Sequence, residues 1–290
     1  MNHKRILVAL EFADSRDPAF ERALALARTS GSELYLLHAI PANERFSARA
    51  TLRLQHWAAL RERAEAAGVG VQTVEQQGDP AEIIVLHADA RPVDLIVMGT
   101  ERRTGWARFR QPSVAERVLR RTTRPTLVVG DEDAGDGSGF KSVLVAVDMS
   151  PASRPLFDTA VQLTGDDVRQ LTVVHVVDSF EAARAERTYR GHLRSAARRR
   201  LAAVMPARVG SGARVQIRVA VGLAADTIGA HAADVSADLI VVGRSWRFMH
   251  LGSTAVRMLR DTNRALLVVP PTATASQTID ARKSLHQVAA

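Results

Sequence analysis

Residues 94–118 hold the stretch of this chain best suited to chemistry. Asp94-Leu95-Ile96-Val97-Met98-Gly99 reads as a short buried strand closed by a glycine. The segment Thr100–Gln111 is a loop carrying Gly105 and four arginines, at 102, 103, 108 and 110. Then Pro112-Ser113-Val114-Ala115-Glu116-Arg117-Val118 reads as a helix start, with Ser113 placed to accept from first-turn N–H groups. A strand end, a loop and a capped helix form a plan suited to anions. The helix start offers unpaired N–H donors and the positive end of its dipole. Residues 238–256 repeat the plan: Asp238-Leu239-Ile240-Val241-Val242-Gly243, a shorter loop, then Gly252-Ser253-Thr254-Ala255-Val256.

The elements that must position these stretches alternate. A strand at Arg5–Leu10 leads to a helix signalled by Asp14-Ser15 and Pro18 and ended by Gly31. A strand at Glu33–Ala39 follows, then a helix over Glu44–Ala67, a strand at Val71–Glu75 and a helix opened by Gly78-Asp79-Pro80. Leu95–Met98, a helix from Ser113 and a strand at Thr126–Val129 complete the unit. Strands alternating with helices predict a parallel sheet with right-handed crossovers. Residues 131–139 are acidic and glycine-rich, as in a linker, and Lys141–Asp148 restarts the pattern.

The two units keep register. Ile6 matches Val143 and His38 matches His175 at an offset of 137, Gly78 matches Gly222 and Gly99 matches Gly243 at 144, and Ser113 matches Ser253 at 140. Offsets that change only between strands are the mark of a duplication with loop insertions. The expected boundaries are 1–130 for the first domain, 131–140 for the linker, 141–270 for the second domain and 271–290 for a flexible tail.

Composition narrows the function classes. The chain has 290 residues, 46% hydrophobic and 24% charged, with no cysteine. That excludes disulfides and thiolate-ligated metal. No signal-peptide-like or membrane-spanning apolar run is present, so the expected setting is the cytoplasm. The net charge is +8, and only three of 39 basic residues are lysine, so the basicity is an arginine bias. Arg184, Arg187, Arg190, Arg194 and Arg198 make a basic stripe on a helix. It is either a solvated face with Glu181 and Glu186 as partners or a docking surface for acid or phosphate. Only Tyr189 interleaves it, which argues against a stacking platform for single-stranded nucleic acid. The paired histidines His38/His175 and His87/His231 suggest packing roles, and their spacing fits no metal motif. No Gly-x-Ser-x-Gly elbow, complete Walker loop or His-Glu-x-x-His is present, so no catalysis is expected.

As an ordered set, Ile6–Leu10, Leu37-His38, Gly78-Asp79-Pro80-Ala81-Glu82-Ile83, Asp94–Gly99, Ser113–Leu119 and Pro125–Val129 resemble the universal stress protein family in its tandem form. The resemblance covers about residues 4–130 and 141–270. It implies two Rossmann-like α/β domains of the adenine-nucleotide alpha-hydrolase-like kind, each a five-stranded parallel sheet with helices on both faces, and a pseudo-dimer within the chain with Thr126–Val129 and Leu266–Val269 near its interface. It also implies a nucleotide at the carboxyl edge of the sheet, held by a loop similar to Gly-x2-Gly-x9-Gly-Ser/Thr and by an Asp ending the first strand. The first unit departs from that pattern, with Arg102 and Pro112 at loop glycine positions and Glu11 in place of the Asp. Ordinary ATP binding is not expected there. The second unit keeps Asp148, Ser150, Gly243, Gly252 and Ser253, but has Trp246 at the middle glycine and a loop four residues shorter.

The expected cofactor is therefore ATP or another adenine nucleotide in the second domain, held by Asp148, Ser150, Val176, Gly243, Gly252, Ser253 and Thr254, with no metal. The expected function is a non-enzymatic regulatory or protective stress-response module with a degenerate nucleotide pocket. The alternative is an ATP-binding switch or weak ATP hydrolase using the second domain. Protein partners and a homodimer are expected; membrane and nucleic acid are not.

Overall fold

The computed structural model describes residues 5–12, 17–40, 50–100, 112–130, 139–150, 153–178, 212–244 and 252–271, with positions 195, 196, 199 and 201 besides. In chain order the elements are β1 (Arg5–Leu10), α1 (Pro18–Ser30), β2 (Glu33–Ile40), α2 (Ala50–Ala66), β3 (Val71–Gln77), α3 (Pro80–Ala90), β4 (Leu95–Gly99), α4 (Val114–Arg121) and β5 (Thr126–Val129). The second copy follows with β6 (Ser142–Ala146), α5 (Ser153–Thr164), a 3-10 turn at Gly165–Asp167, β7 (Gln170–Asp178), β8 (Arg214–Gly222), α6 (Ala224–Asp234), β9 (Leu239–Gly243), α7 (Ser253–Asp261) and β10 (Ala265–Val269).

Local chemistry sets the helix starts. Asp17 caps α1 by accepting from the N–H groups of Ala19 and Phe20 at 2.9 and 3.1 Å, and Pro18 takes the first helical position. The expected signal at Asp14-Ser15 lies outside the described residues; the cap is Asp17. Gly31 ends α1 at φ 68°, a conformation that a Cβ would penalise. Asp79 caps α3 through the N–H of Glu82 at 3.0 Å. Ser113 caps α4 through the N–H of Glu116 at 3.1 Å, whereas α7 begins at Gly252 with no side-chain cap. The helix expected from Glu44 is present from Ala50 to Ala66, and residues 44–49 lie outside the described residues. The third strand runs to Gln77, two residues beyond the expected end.

The central strands read as continuous apolar runs because both faces of the sheet are covered there, while the outer strands β3 and β8 are mixed and only partly buried. Ile6, Val8, Leu95 and Val97 face α1 and α2, packing on Phe20, Ala23, Trp57 and Leu60. Leu7, Ala9, Ile96 and Met98 face α3 and α4, packing on Ile84, Ala88, Val118 and Leu119. The second copy repeats this, with α5 on the first face and α6 and α7 on the other.

The ten strands form one sheet in the order β3-β2-β1-β4-β5-β10-β9-β6-β7-β8. Neighbours within each copy are parallel, and the copies meet through the antiparallel pair β5–β10. Leu127 faces Leu267, its own equivalent at an offset of 140, so a local twofold passes between them. The expected interface strands are thus hydrogen-bonded to each other. Phe140, the last residue of the expected linker, is buried, with the Arg22 guanidinium 4.4 Å from its ring centroid.

Two arginines of the second copy reach across the junction. Glu116 on α4 accepts from Arg120 at 2.7 Å and from Arg260 on α7 at 2.8 Å, and its side chain is 4% exposed. Arg120 and Arg260 are equivalent residues, while the counterpart of Glu116 is Val256, so one carboxylate serves both. Arg244 donates to the carbonyls of Leu119 at 3.2 Å and Thr122 at 2.7 Å, satisfying acceptors that the end of α4 leaves open. Its counterpart is Thr100, so this cap also runs one way.

Burial pushes the Glu116 carboxyl up, but the hydrogen bonds from Arg120 and Arg260 outweigh it and hold the group below its ordinary value. A depressed carboxylate stabilises the fold fully above its unfolded pKa of about 4.3, and loses that stabilisation as pH falls through the lower folded value. Glu116→Gln should therefore be less stable than the parent at pH 7, with the gap closing as the pH falls below about 4. We expect a cost of about 1.5–3 kcal/mol at pH 7, because both arginines are partly exposed. Urea unfolding at several pH values measures it. In the same assay Ser113→Ala should cost about 1 kcal/mol, and Ser253→Ala no more than a few tenths, since only Ser113 caps its helix.

Candidate functional site

A crevice opens in a parallel sheet where the chain reverses its direction of travel across the strands. In the first copy that point is the carboxyl end of β1, which pairs with β2 on one side and β4 on the other. A cleft of about 260 Å³ lies there. Alternation along the strands puts Ala9, Leu37, Ala39 and Met98 on its floor, on the face covered by α3 and α4. Pro80 and Ile84 of α3 and Val114 of α4 form its walls. Glu11, His38 and Gly99 complete the lining at the strand ends.

The strand ends are tied in the same way in both copies. His38 Nδ1 lies 2.9 Å from the Leu10 carbonyl, and His175 Nδ1 lies 2.9 Å from the Val147 carbonyl. A carbonyl only accepts, so each ring donates through Nδ1–H. Phe12 and Met149, two residues beyond those carbonyls, both adopt left-handed φ values, 52° and 64°. The Phe12 ring packs on His38 at 4.6 Å, stacks on His56 at 5.3 Å and meets Trp57 edge-on at 4.7 Å.

His87 is buried on α3. Its Nδ1 lies 2.8 Å from the Tyr35 hydroxyl and its Nε2 2.6 Å from Gln76 Oε1. Burial, then the Arg91 charge, push its pKa down, which suits a neutral ring that donates through Nε2. Its counterpart His231 has Arg218 Nη1 at 3.2 Å from Nδ1. These histidines serve packing and strand ends, and no group of three or more metal-ligating side chains occurs among the described residues.

The two helix starts beside the first cleft are already occupied. Ser113 Oγ takes one N–H of α4. Asp79 takes one of α3 and also pairs with Arg117 at 2.6 Å; the Arg117 hydrogen bond holds the Asp79 carboxyl below its usual value.

In the second copy, Asp148 is exposed just past β6, with its Oδ1 accepting from Ser150 N–H at 3.0 Å. That is an Asx turn, so Asp148 and Ser150 have a local structural role whatever else they do. Val176 lies in β7 and pairs with Ala220. Gly243 ends β9, Gly252 precedes α7, and Ser253 and Thr254 open it, with Ser253 exposed. The strands concerned, β6, β7 and β9, are neighbours, and these residues share the carboxyl edge of the sheet. A Cβ at Gly243 would come within 3.3 Å of Leu156 Cδ1 on α5, whose counterpart in the first copy is Ala19. The smallness of Gly243 is thus used for helix packing.

Arg102, Trp246, the arginine stripe and the tail beyond Pro271 lie outside the described residues. The first-copy cleft was hidden in the sequence by its altered glycine loop. The signal for it was Ala9 and Ala39, two small residues on one face near adjacent strand ends.

The universal stress protein family profile matches residues 2–130 and again 139–270. A universal stress protein of Methanocaldococcus jannaschii is 30% identical over 139 residues, which is 44% of this chain and 82% of that protein. Among solved structures, a functionally unknown Pseudomonas aeruginosa protein superposes with a TM-score of 0.70 at 20% identity, covering 97% of each chain. An Archaeoglobus fulgidus universal stress protein gives 0.69 at 18% identity, covering 93% of this chain and 99% of its own. At these identities the structures speak for the fold alone, and they share it along nearly the whole chain. The doubled profile match and the repeated strand order together make this chain a member of the universal stress protein family in its tandem form.

Proposed function

We propose that this protein is a non-enzymatic stress-response module, regulatory or protective, that binds adenine-type ligands at the carboxyl edge of its sheet. The observation that carries this is the cleft at the end of β1, at the switch in strand order where α/β sheets take ligands. Its volume, about 260 Å³, is just under the ~300–1,000 Å³ typical of small-molecule pockets, and its lining is mostly apolar with polar groups at the rim. Among the cleft-lining side chains Glu11 and His38 are the titratable ones, and His38 is engaged with the Leu10 carbonyl. Among the described residues no helix is long and apolar enough to cross a membrane.

A second reading is an ATP-binding switch or weak ATP hydrolase in the second copy. It is favoured by α7, whose first-turn donors meet no side-chain cap, and by the exposed Ser253 hydroxyl beside them. Asp148, Ser150, Val176, Gly243, Gly252, Ser253 and Thr254 would hold the nucleotide in that case. A loop four residues shorter than in the first copy opposes a wrapped triphosphate. Calorimetry with ATP, ADP and AMP on the whole protein and on Gly252→Pro, with phosphate release assayed alongside, separates the two. We expect binding in the second copy to be weak, near millimolar, to weaken at least about tenfold in Gly252→Pro, and to bring no phosphate release. Release that depends on Gly252 would establish the hydrolase instead.

A further inference from the structure

The surroundings of His87 suit only a neutral ring. Arg91 Nη1 lies 3.0 Å from His87 Nδ1, and a guanidinium only donates, so Nδ1 carries the lone pair. The Tyr35 hydroxyl, 2.8 Å from the same nitrogen, donates to it as well. Nε2 then holds the proton and donates to Gln76 Oε1 at 2.6 Å. The Arg91 guanidinium also lies 4.7 Å from the centroid of the Tyr35 ring. One buried imidazole therefore fastens the last turn of α3 to β2 and β3.

A proton on Nδ1 reverses this contact. The Tyr35 hydroxyl can turn to accept, but Arg91 cannot, and two cations then face each other with little water between them. Among the described residues no carboxylate pairs with the ring to relieve them. Glu75 of β3 takes the Trp57 Nε1–H on the opposite face of the sheet. Arg117 and Arg121 of α4 pair with Asp79 and Glu82 of α3, Asp89 meets the Thr123 hydroxyl, and Arg5 of β1 acts by charge on Tyr35. The dipole at the end of α3 favours a proton, but burial and the Arg91 charge outweigh it and hold the His87 pKa down. The second copy lacks the arrangement. Thr172, Ala220 and Val235 stand in place of Tyr35, Gln76 and Arg91, and half-buried His231 has the Asp234 carboxylate within reach of its charge.

We propose that His87 is an acid-released latch: the neutral ring fastens the end of α3 to the sheet, and protonation frees Arg91 and that turn. Pro80 and Ile84 of the same helix wall the cleft, so acidity reaches the cleft of the first copy through α3, whatever ligand occupies it. The sign follows from linkage. A histidine whose folded pKa lies below its open-state value of about 6.5 keeps the latch shut above that pH. Below it, opening takes up a proton and increases by up to about tenfold per pH unit, until the folded value is reached.

The test is hydrogen exchange on the whole chain, read on peptides covering residues 80–91 at pH 7.5 and 5.5 and corrected for the intrinsic exchange rate. The opening constant of α3 should rise toward about tenfold in the parent between these pH values. In His87→Gln, which keeps a polar side chain without a titrating ring, it should stay level. In Arg91→Ala the rise should be smaller than in the parent, because the second cation is gone; Arg91 is half-buried at the helix end, so this variant disturbs the core little. A rise in His87→Gln as large as the parent's, or none in the parent, overturns the proposal. Should circular dichroism show that the glutamine disturbs folding, an undiminished rise in Arg91→Ala overturns it instead.

Discussion

The antiparallel pairing of β5 with β10 is the constraint on which the rest of this molecule depends. Each copy ends on a short apolar strand that would otherwise be an exposed sheet edge, open to pairing with another chain. Joining the two edges through Leu127 and Leu267 removes both at once and turns two five-stranded sheets into one of ten. The pairing is self-complementary because the units are copies. A twofold between equivalent residues needs no new surface beyond the one that each copy already carries.

The junction is symmetric in its backbone and asymmetric in its side chains. Arg120 and Arg260 converge on Glu116, and the residue that would mirror that carboxylate is Val256. Arg244 closes the end of α4 with no equivalent from the first copy. A buried carboxylate facing two guanidinium groups is satisfied on both oxygens, whereas two such carboxylates near the axis would add a second desolvation cost. Duplication within one chain permits this, because a polar group can be placed once where a homodimer would repeat it.

The same freedom shows at the two crevices. Both copies keep the histidine tie at the first strand's end and the left-handed residue after it, so the scaffold of the crevice is maintained. The first copy keeps small floor residues and occupies its helix starts with side-chain caps. The second opens α7 without a side-chain cap but carries Val176 on its floor and sets Leu156 against Gly243.

Much of this was legible in the sequence. Strand signals such as Arg5–Leu10 and Leu95–Met98 are short apolar runs bounded by turn residues, and Asp79-Pro80 and Ser113 name their helix starts by local hydrogen bonding alone. Resemblance to the family pointed to Thr126–Val129 and Leu266–Val269 as the strands that would meet. Pro18 marked the start of α1 correctly, and the cap is its neighbour Asp17, an acid that the sequence signal did not single out. The glycine loop drew attention to the second copy, and the first copy carries a cleft that the loop did not signal. Loop glycines report where a backbone can approach a phosphate; cavity volume depends on side chains such as Ala9 and Ala39, which come from different strands.

The sequence by itself therefore determined the element order, the duplication, the buried parallel strands and the family, because each follows from periodicity, capping and spacing along the chain. The tertiary structure alone decided that Glu116 is shared by two equivalent arginines, that Arg244 caps a helix of the other copy, and that Ala9, Ala39, Ile84 and Val114 meet around one cleft. Those outcomes depend on distances between residues more than a hundred positions apart, or on the sum of side-chain volumes at a meeting point, and local pattern carries no record of either.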